Sequence, residues 1–328
     1  MKLPVRAKYV PLLATALVLI ALYVTGCVAF TNFFSLRVAV NLLGDNAFLG
    51  VAAVGATFVI LSGGIDLSVG AVVAFTSILI AMLVEQRHVH PVLAVLIALA
   101  AGTGLGFGMG CCIRYFELPP FLVTLAGMFL ARGLGFVVHP QSLGIQHPFF
   151  LDTISQKFSL TLTERVSFPF TATCFVLVLL LSIFVAHYTR FGRYIYAVGG
   201  DEQSATLLGL PVGRMKIWIY AVSGFCSALA GVVYTFYTQS GDPASAVGLE
   251  LDAIAAVVIG GTLLSGGVGL MAGTAMGVLI LGLIQTLITF QGNLNSWWTR
   301  IVVGLLVLVF IALQNVVAAT SRRFTKTG

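Results

Sequence analysis

The sequence predicts an all-α membrane protein of about ten transmembrane helices, some of them broken inside the bilayer. Three observations carry that prediction. Only 9% of the 328 residues are charged, against about 25% in an ordinary soluble domain. The mean hydropathy is +1.06, which places the chain in the membrane class. The apolar runs are continuous and do not alternate, which disfavours a transmembrane barrel. Ten helices of about 20 residues would use roughly 200 positions and leave short connections.

The spans follow in order. The first covers Tyr9–Phe30, behind the basic stretch MKLPVRAKYV. Its apolar run is too long for a signal-peptide core and no small-x-small cleavage site closes it, so it reads as a retained span. The second is Asn41–Leu61, the third Asp66–Val84, the fourth Pro91–Ile113 and the fifth Pro119–Val138. The sixth is Phe168–Tyr188 and the seventh Lys216–Thr238. The eighth, Leu251–Leu264, is short and glycine-interrupted; the ninth is Gly269–Phe290 and the tenth Trp297–Val317. Two connections exceed a simple turn, residues 139–167 and 189–216. There is no room for a second soluble domain, so residues 1–328 read as one membrane domain.

Lysine and arginine set the orientation. With the N-terminus inside, the inner segments hold Lys2, Arg6, Lys8, Arg114, Arg190, Arg193, Arg214, Lys216, Arg322, Arg323 and Lys326. The outer segments hold Arg37, Arg87, Lys157, Arg165 and Arg300, and Arg132 falls within a span. That bias puts both termini in the cytoplasm and requires an even number of spans. Residues 139–167 are then an outer, periplasmic loop and 189–216 an inner one. The formal charge of +6 is spread over span ends and joins no nucleic-acid motif, so nucleic-acid binding is excluded.

VILSGGIDLSVGA around Asp66 is echoed by VVIGGTLLSGGVGLMAG around Gly266. Each places Ser-Gly-Gly between two apolar segments. Spans two to five begin outside and spans seven to ten begin inside, so the echo fits an inverted repeat.

A helix that stops inside a membrane leaves backbone groups without partners. In SGGIDLSVG, glycine can end the incoming helix at positive φ. Asp66 can then accept from the N–H groups near Ser68 and Val69 and face the positive end of the next helix. A buried acid can equally mark a polar path, which makes Asp66 and Ser68 candidate path residues. Asn46, Thr124, Arg132, Gln285 and Gln314 are further polar residues within spans. They suit helix–helix hydrogen bonds, with Asn46 and Gln285 the better candidates for the path.

Gly102, Gly106 and Gly110 share one helical face, as do Gly269, Gly273 and Gly277; both stripes suit close helix packing and not a dinucleotide fingerprint. The five cysteines lie in apolar runs without CxxC and read as small buried hydrophobes. His88 and His90 lack a third ligand at useful spacing, so no metal site is expected. No GxxxxGK[ST] and no nucleophile with a paired base occur, so the chain itself is expected to hold no cofactor and to perform no catalysis.

The inner loop reads GRYIYAVGGDEQSATLLGLPVGR. Gly199 and Gly200 break the chain, the acids Asp201 and Glu202 open a short helix, and Gly209 and Pro211 stop it. This loop and SGGIDLSVGA, in this order, resemble the signatures of sugar ABC importer permeases of the ribose and arabinose type. The resemblance runs from about Asn41 to the last span and is nearest to permeases of bacterial galactofuranose importers. It implies two homologous permease subunits, a heterodimer in the galactofuranose case, in the bacterial inner membrane. It implies a cytosolic ATPase that binds ATP and Mg, and a periplasmic binding protein that delivers the sugar. The short inner helix is then the coupling helix, a role that carries to Gly192, Arg193, Ala197, Gly199, Asp201, Glu202, Ala205 and Gly209. Where the family often has Asn-Glu-x-Ala-Ala, this chain has Asp201-Glu202-Gln203-Ser204-Ala205. The alternative is an ion-coupled secondary sugar transporter, for which Asp66 is the fair coupling group.

Overall fold

The computed structural model describes residues 10–153, 160–163, 166–292 and 297–324. Helix α1 (Val10–Ala29) is followed by α2 (Leu36–Asp45) and α3 (Ala47–Leu61), then α4 (Val69–Ala81), which runs on into a π turn, Met82–Gln86. Next come α5 (Pro91–Tyr115), α6 (Pro120–Val138) and α7 (Phe170–Tyr188). Two short helices follow, α8 (Arg190–Gly200) and α9 (Glu202–Leu207), before the long α10 (Val212–Thr238). The half-helix α11 (Leu249–Ile259), α12 (Met271–Gln291) and α13 (Trp297–Phe324) complete the order. Pro91 and Pro120 sit at the first helical positions of α5 and α6, where a missing N–H costs no hydrogen bond.

The structure supports seven or eight of the expected ten spans. Among the described residues, seven helices are long and apolar enough to cross a membrane, or eight if α2 and α3 form one span bent by 54°. The predicted eighth span shrinks to α11 because the chain turns at Gly260 and Gly261. The predicted tenth span lies within α13, whose described apolar stretch is Trp297–Ala312. The predicted third span does not begin at Asp66; residues 64–68 are non-helical and α4 starts at Val69. The connection 189–216 holds two helices where one was expected.

The fold is not purely helical either. A two-residue strand β1 (Leu143–Gly144) pairs antiparallel with β4 (Ser240–Gly241), and β2 (Leu160–Thr163) pairs with β3 (Val166–Phe168). The connection after α6 is tied down. Glu85 accepts from the N–H groups of Gln146 (2.8 Å) and His147 (3.0 Å), and Phe150 stacks on Phe236 at 4.6 Å. Lys2, Arg6, Lys8, Lys157, Arg165 and Lys326, used above for orientation, lie outside the described residues.

The helices form an inner group and an outer group. Every residue of α3 except Phe48 is buried, so this helix is enclosed on all sides. Leu13, Leu17, Phe129, Leu180 and Leu181, on α1, α6 and α7, are exposed apolar residues suited to hydrocarbon. Lipid does not drive apolar helices together, so close backbone approach must do so. The Gly102–Gly106–Gly110 stripe supplies it. A Cβ at Gly106 would meet the Gly224 Cα at 3.0 Å, and one at Gly110 the Ile217 Cα at 2.8 Å, both on α10. Gly273 and Gly277 let α12 close on Gly260 and Ala256 in the same way.

Candidate functional site

The break at Asp66 is a closed polar cluster. The carboxylate is 2% exposed and accepts from the Ser68 N–H (2.9 Å) and the Ser68 hydroxyl (2.6 Å). Its other oxygen accepts from the Ser223 hydroxyl on α10 at 2.7 Å. The Tyr220 hydroxyl packs against Gly64 and has no hydrogen-bond partner among the described residues. Thr124 reaches the same segment, donating to the Ile65 carbonyl at 3.3 Å. Arg132 is spent on the carbonyls of Pro243 (2.7 Å) and Ser245 (2.6 Å).

The two Ser-Gly-Gly breaks lie side by side. Gly63 and Gly266 both take positive φ, 83° and 85°, and the Gly267 N–H donates to the Leu61 carbonyl at 2.9 Å. The end of α8 is wedged into this contact. A Cβ on Gly199 would overlap the Leu61 carbonyl oxygen and lie 2.6 Å from the Gly267 nitrogen. A Cβ on Gly266 would lie 2.8 Å from the Gly199 oxygen and 2.7 Å from the Gly63 nitrogen. Tyr196 on α8 adds a hydrogen bond to the Gly269 carbonyl at 2.8 Å. Burial pushes its phenol up to about 12, so it stays a donor. One helix therefore touches both breaks.

Helix α8 is capped by Thr189, whose hydroxyl accepts from the Gly192 N–H at 3.3 Å. Gly192 is buried against the Ala186 carbonyl, Arg193 is exposed, and the Ala197 carbonyl accepts from the Asp201 N–H. Asp201 then caps α9, accepting from the N–H groups of Gln203 (2.9 Å) and Ser204 (3.0 Å). The Ser204 backbone N–H is the first cause holding this carboxyl below its ordinary 3.8. Glu202 pairs with Lys216 at 2.6 Å, Ala205 points inward, and Gly209 ends the turn at φ 79°. The exposed apolar residues of this turn are Leu207 and Leu208, 88% and 80% exposed, which the sequence reading did not single out. A cavity of about 810 Å³ opens between the α5–α6 and α9–α10 connections, lined in part by Arg114, Glu117, Glu202, Arg214 and Lys216.

A second polar region lies among the α2–α3 bend, the first turns of α11 and α13, and α12. Two adjoining cavities, about 420 and 530 Å³, share Asn46, Leu49, Asp252, Gln285 and Thr289. Asn46 packs on Gly282 of α12 and donates to the Leu42 carbonyl at 2.9 Å. Arg300 of α13 pairs with Asp252 of α11 at 2.8 Å. The structure thus brings Asn46 and Gln285 to one cleft and puts Asp66 and Ser68 in the separate buried cluster. The side chain of Gln314 lies outside the described residues.

Residues 38–311 match the family model described as branched-chain amino acid transport system / permease component. The chain belongs to the sugar ABC importer permease family. It is 47% identical to the inner membrane ABC transporter permease protein YjfF of Escherichia coli (strain K12), over 94% of this chain and 92% of that one. It is 38% identical to the fructose import permease protein FruG of Bifidobacterium longum, covering 95% and 92%. It is also 38% identical to the ribose import permease protein RbsC of Bacillus subtilis, covering 84% of each. No solved structure matches. The permease is accordingly a multi-pass inner-membrane component of an ABC importer, a class that works with an ATPase and a binding protein.

Several residues of the permease escaped the sequence reading. Ser223 stands 157 positions from Asp66, inside a run that gives no sign of a partner. Tyr196 reads as one more aromatic in an inner loop. Asp252 and Arg300 carried a faint signal, being charged groups at the start of apolar segments.

Proposed function

We propose that the chain is the translocation subunit of a binding-protein-dependent importer for a monosaccharide, with galactofuranose the sugar that its sequence resemblance favours. The observation that carries this reading is the glycine junction. A helix next to the exposed Leu207–Leu208 knob touches both helix breaks, so a partner gripping the knob can move both breaks together. In this reading residues 189–216 face the cytoplasm with both termini and form the coupling segment, through Gly192, Arg193, Ala197, Gly199, Asp201, Glu202, Ala205 and Gly209. Residues 139–167 face the periplasm, and residues 1–328 form one permease domain. The chain holds no ATP itself; ATP and Mg belong to the ATPase, and a second homologous permease completes a heterodimer.

The relatives support a sugar as cargo, since two of them are named for ribose and fructose import. The test is co-purification of the tagged chain from bacterial membranes, then ATPase assays in liposomes with candidate binding proteins and sugars. A distinct second permease and an ATPase come along, and galactofuranose-loaded binding protein stimulates hydrolysis. A chain that purifies alone and moves solute down an ion gradient overturns the reading. Stimulation by ribose or fructose alone overturns the choice of galactofuranose.

A further inference from the structure

We propose that the cleft between the α2–α3 bend, α11, α12 and α13 is a monosaccharide site within the permease, in which the Asp252–Arg300 pair and Gln285 bind sugar hydroxyls. The proposal rests on the sugar-importer reading and deepens it. The two adjoining cavities, about 420 and 530 Å³, each fall within the roughly 300–1,000 Å³ of small-molecule sites.

The lining fits a neutral polyol better than an ion or a lipid chain. Two arginines, Arg37 and Arg300, face two aspartates, Asp45 and Asp252, so the formal charge of the lining cancels. A site for an inorganic cation or anion needs an excess of one sign, and a hydrocarbon chain needs neither. Sugar hydroxyls both donate and accept, so they suit carboxylate, guanidinium and amide groups set side by side. The pair is poised for this. Asp252 is joined to Arg300 through one oxygen and one nitrogen, and the side chains remain 29% and 51% exposed. A carboxylate oxygen and further guanidinium N–H groups therefore remain for a ligand. Gln285 is exposed and its side-chain amide has no protein partner among the described residues. Tyr237 lines the second cavity, and an aromatic ring there can pack against the C–H side of a sugar.

The pair also joins two helices. Asp252 stands in the first turn of α11, the half-helix that ends at the second glycine break, and Arg300 stands on α13. A sugar that inserts between them couples cleft occupancy to the position of α11.

The test uses the complete importer, with second permease, ATPase and binding protein, in liposomes. Uptake of radiolabelled galactofuranose, supplied as the furanose fraction of D-galactose, and of D-ribose and D-fructose is measured with ATP hydrolysis in the same vesicles. A wild-type importer that hydrolyses ATP but moves none of them when each binding protein is loaded defeats the importer reading, and this proposal with it. With a working wild type, the variants decide the site alone. Asp252→Asn and the charge exchange Asp252→Arg with Arg300→Asp are each expected to lower uptake per ATP by about ten- to a hundredfold, the loss of hydrogen bonds to charged groups. A pair that merely braces the helices is rescued by the exchange, so wild-type uptake in the exchanged protein overturns the proposal. Should the exchanged protein fail to assemble, Gln285→Leu, which removes an exposed amide at nearly constant volume, decides in its place. A raised KM for uptake at unchanged abundance supports the site, and an unchanged KM and rate overturn it.

Discussion

Replacing Gly199 by alanine should uncouple the permease, and its neighbour Gly200 supplies the control. Both residues lie at the end of α8, one position apart. A methyl group on Gly199 overlaps the Leu61 carbonyl oxygen and comes within 2.6 Å of the Gly267 nitrogen, far inside the roughly 3.5 Å of ordinary contact. A methyl group on Gly200 meets nothing within 4 Å. Overpacking of this kind costs about 1–3 kcal/mol. Prising the breaks apart also strains the Gly267–Leu61 hydrogen bond, worth about 0.5–1.5 kcal/mol. Alanine recovers about 0.5–1 kcal/mol of helix propensity at either position. The net for Gly199→Ala is a loss of about 1–3 kcal/mol concentrated where α8 meets both breaks, and for Gly200→Ala a slight gain. The assay is ATPase stimulation by sugar-loaded binding protein in liposomes, with sugar uptake and thermal stability measured on the same preparations. Gly199→Ala should lose stimulation and uptake by about five- to a hundredfold, at about 1.4 kcal/mol per decade, while Gly200→Ala behaves as wild type. Equal behaviour of the two variants would falsify the junction as a coupling element.

Tyr196→Phe removes only the hydrogen bond to the Gly269 carbonyl and should lower uptake per ATP with unchanged abundance; a wild-type ratio would count against the link between α8 and the second break. Asp66→Leu strands three donors, at about 1–3 kcal/mol each, and should deplete the protein from membranes. Asp66→Asn can still accept from Ser68 and donate to Ser223, so immunoblots of membranes should show near-normal amounts. Asp201 has a depressed folded pKa, so its cap is complete above the ordinary carboxylate range and is lost only as pH falls through the folded value. Stimulated ATPase activity should thus show no Asp201 titration between about pH 5 and 8. Asp201→Asn, which keeps the acceptor, should match wild type there, while Asp201→Ala should not. Leu207→Asp with Leu208→Asp should abolish co-purification of the ATPase without lowering the amount of permease; an intact complex would move the docking surface elsewhere.

The sequence by itself determined what neighbouring residues decide among themselves. Membrane class follows from composition, and most helix positions follow from the length of each apolar run. Gly63 and Gly266 announce the breaks because positive φ suits glycine. Asp201 and Gly209 announce the ends of α9 because a cap and its targets lie within a few residues. Asp66 with Ser68 was legible for the same reason.

Only the tertiary structure decided what those pieces meet. It joined Leu61 to Gly267, set Gly199 against both, closed Ser223 onto Asp66, and gathered Asn46, Gln285, Asp252 and Arg300 around one cleft. It also separated Asn46 and Gln285 from Asp66 and Ser68, which the sequence had placed in one group. The physical reason lies in the solvent. In water, an apolar stripe reveals which face of a helix turns inward. In a bilayer, lipid and protein interior are equally apolar, so a helix carries no stripe that tells them apart. Which faces touch then depends on close fit between backbones and on a few polar pairs, and both exist only once the helices are assembled.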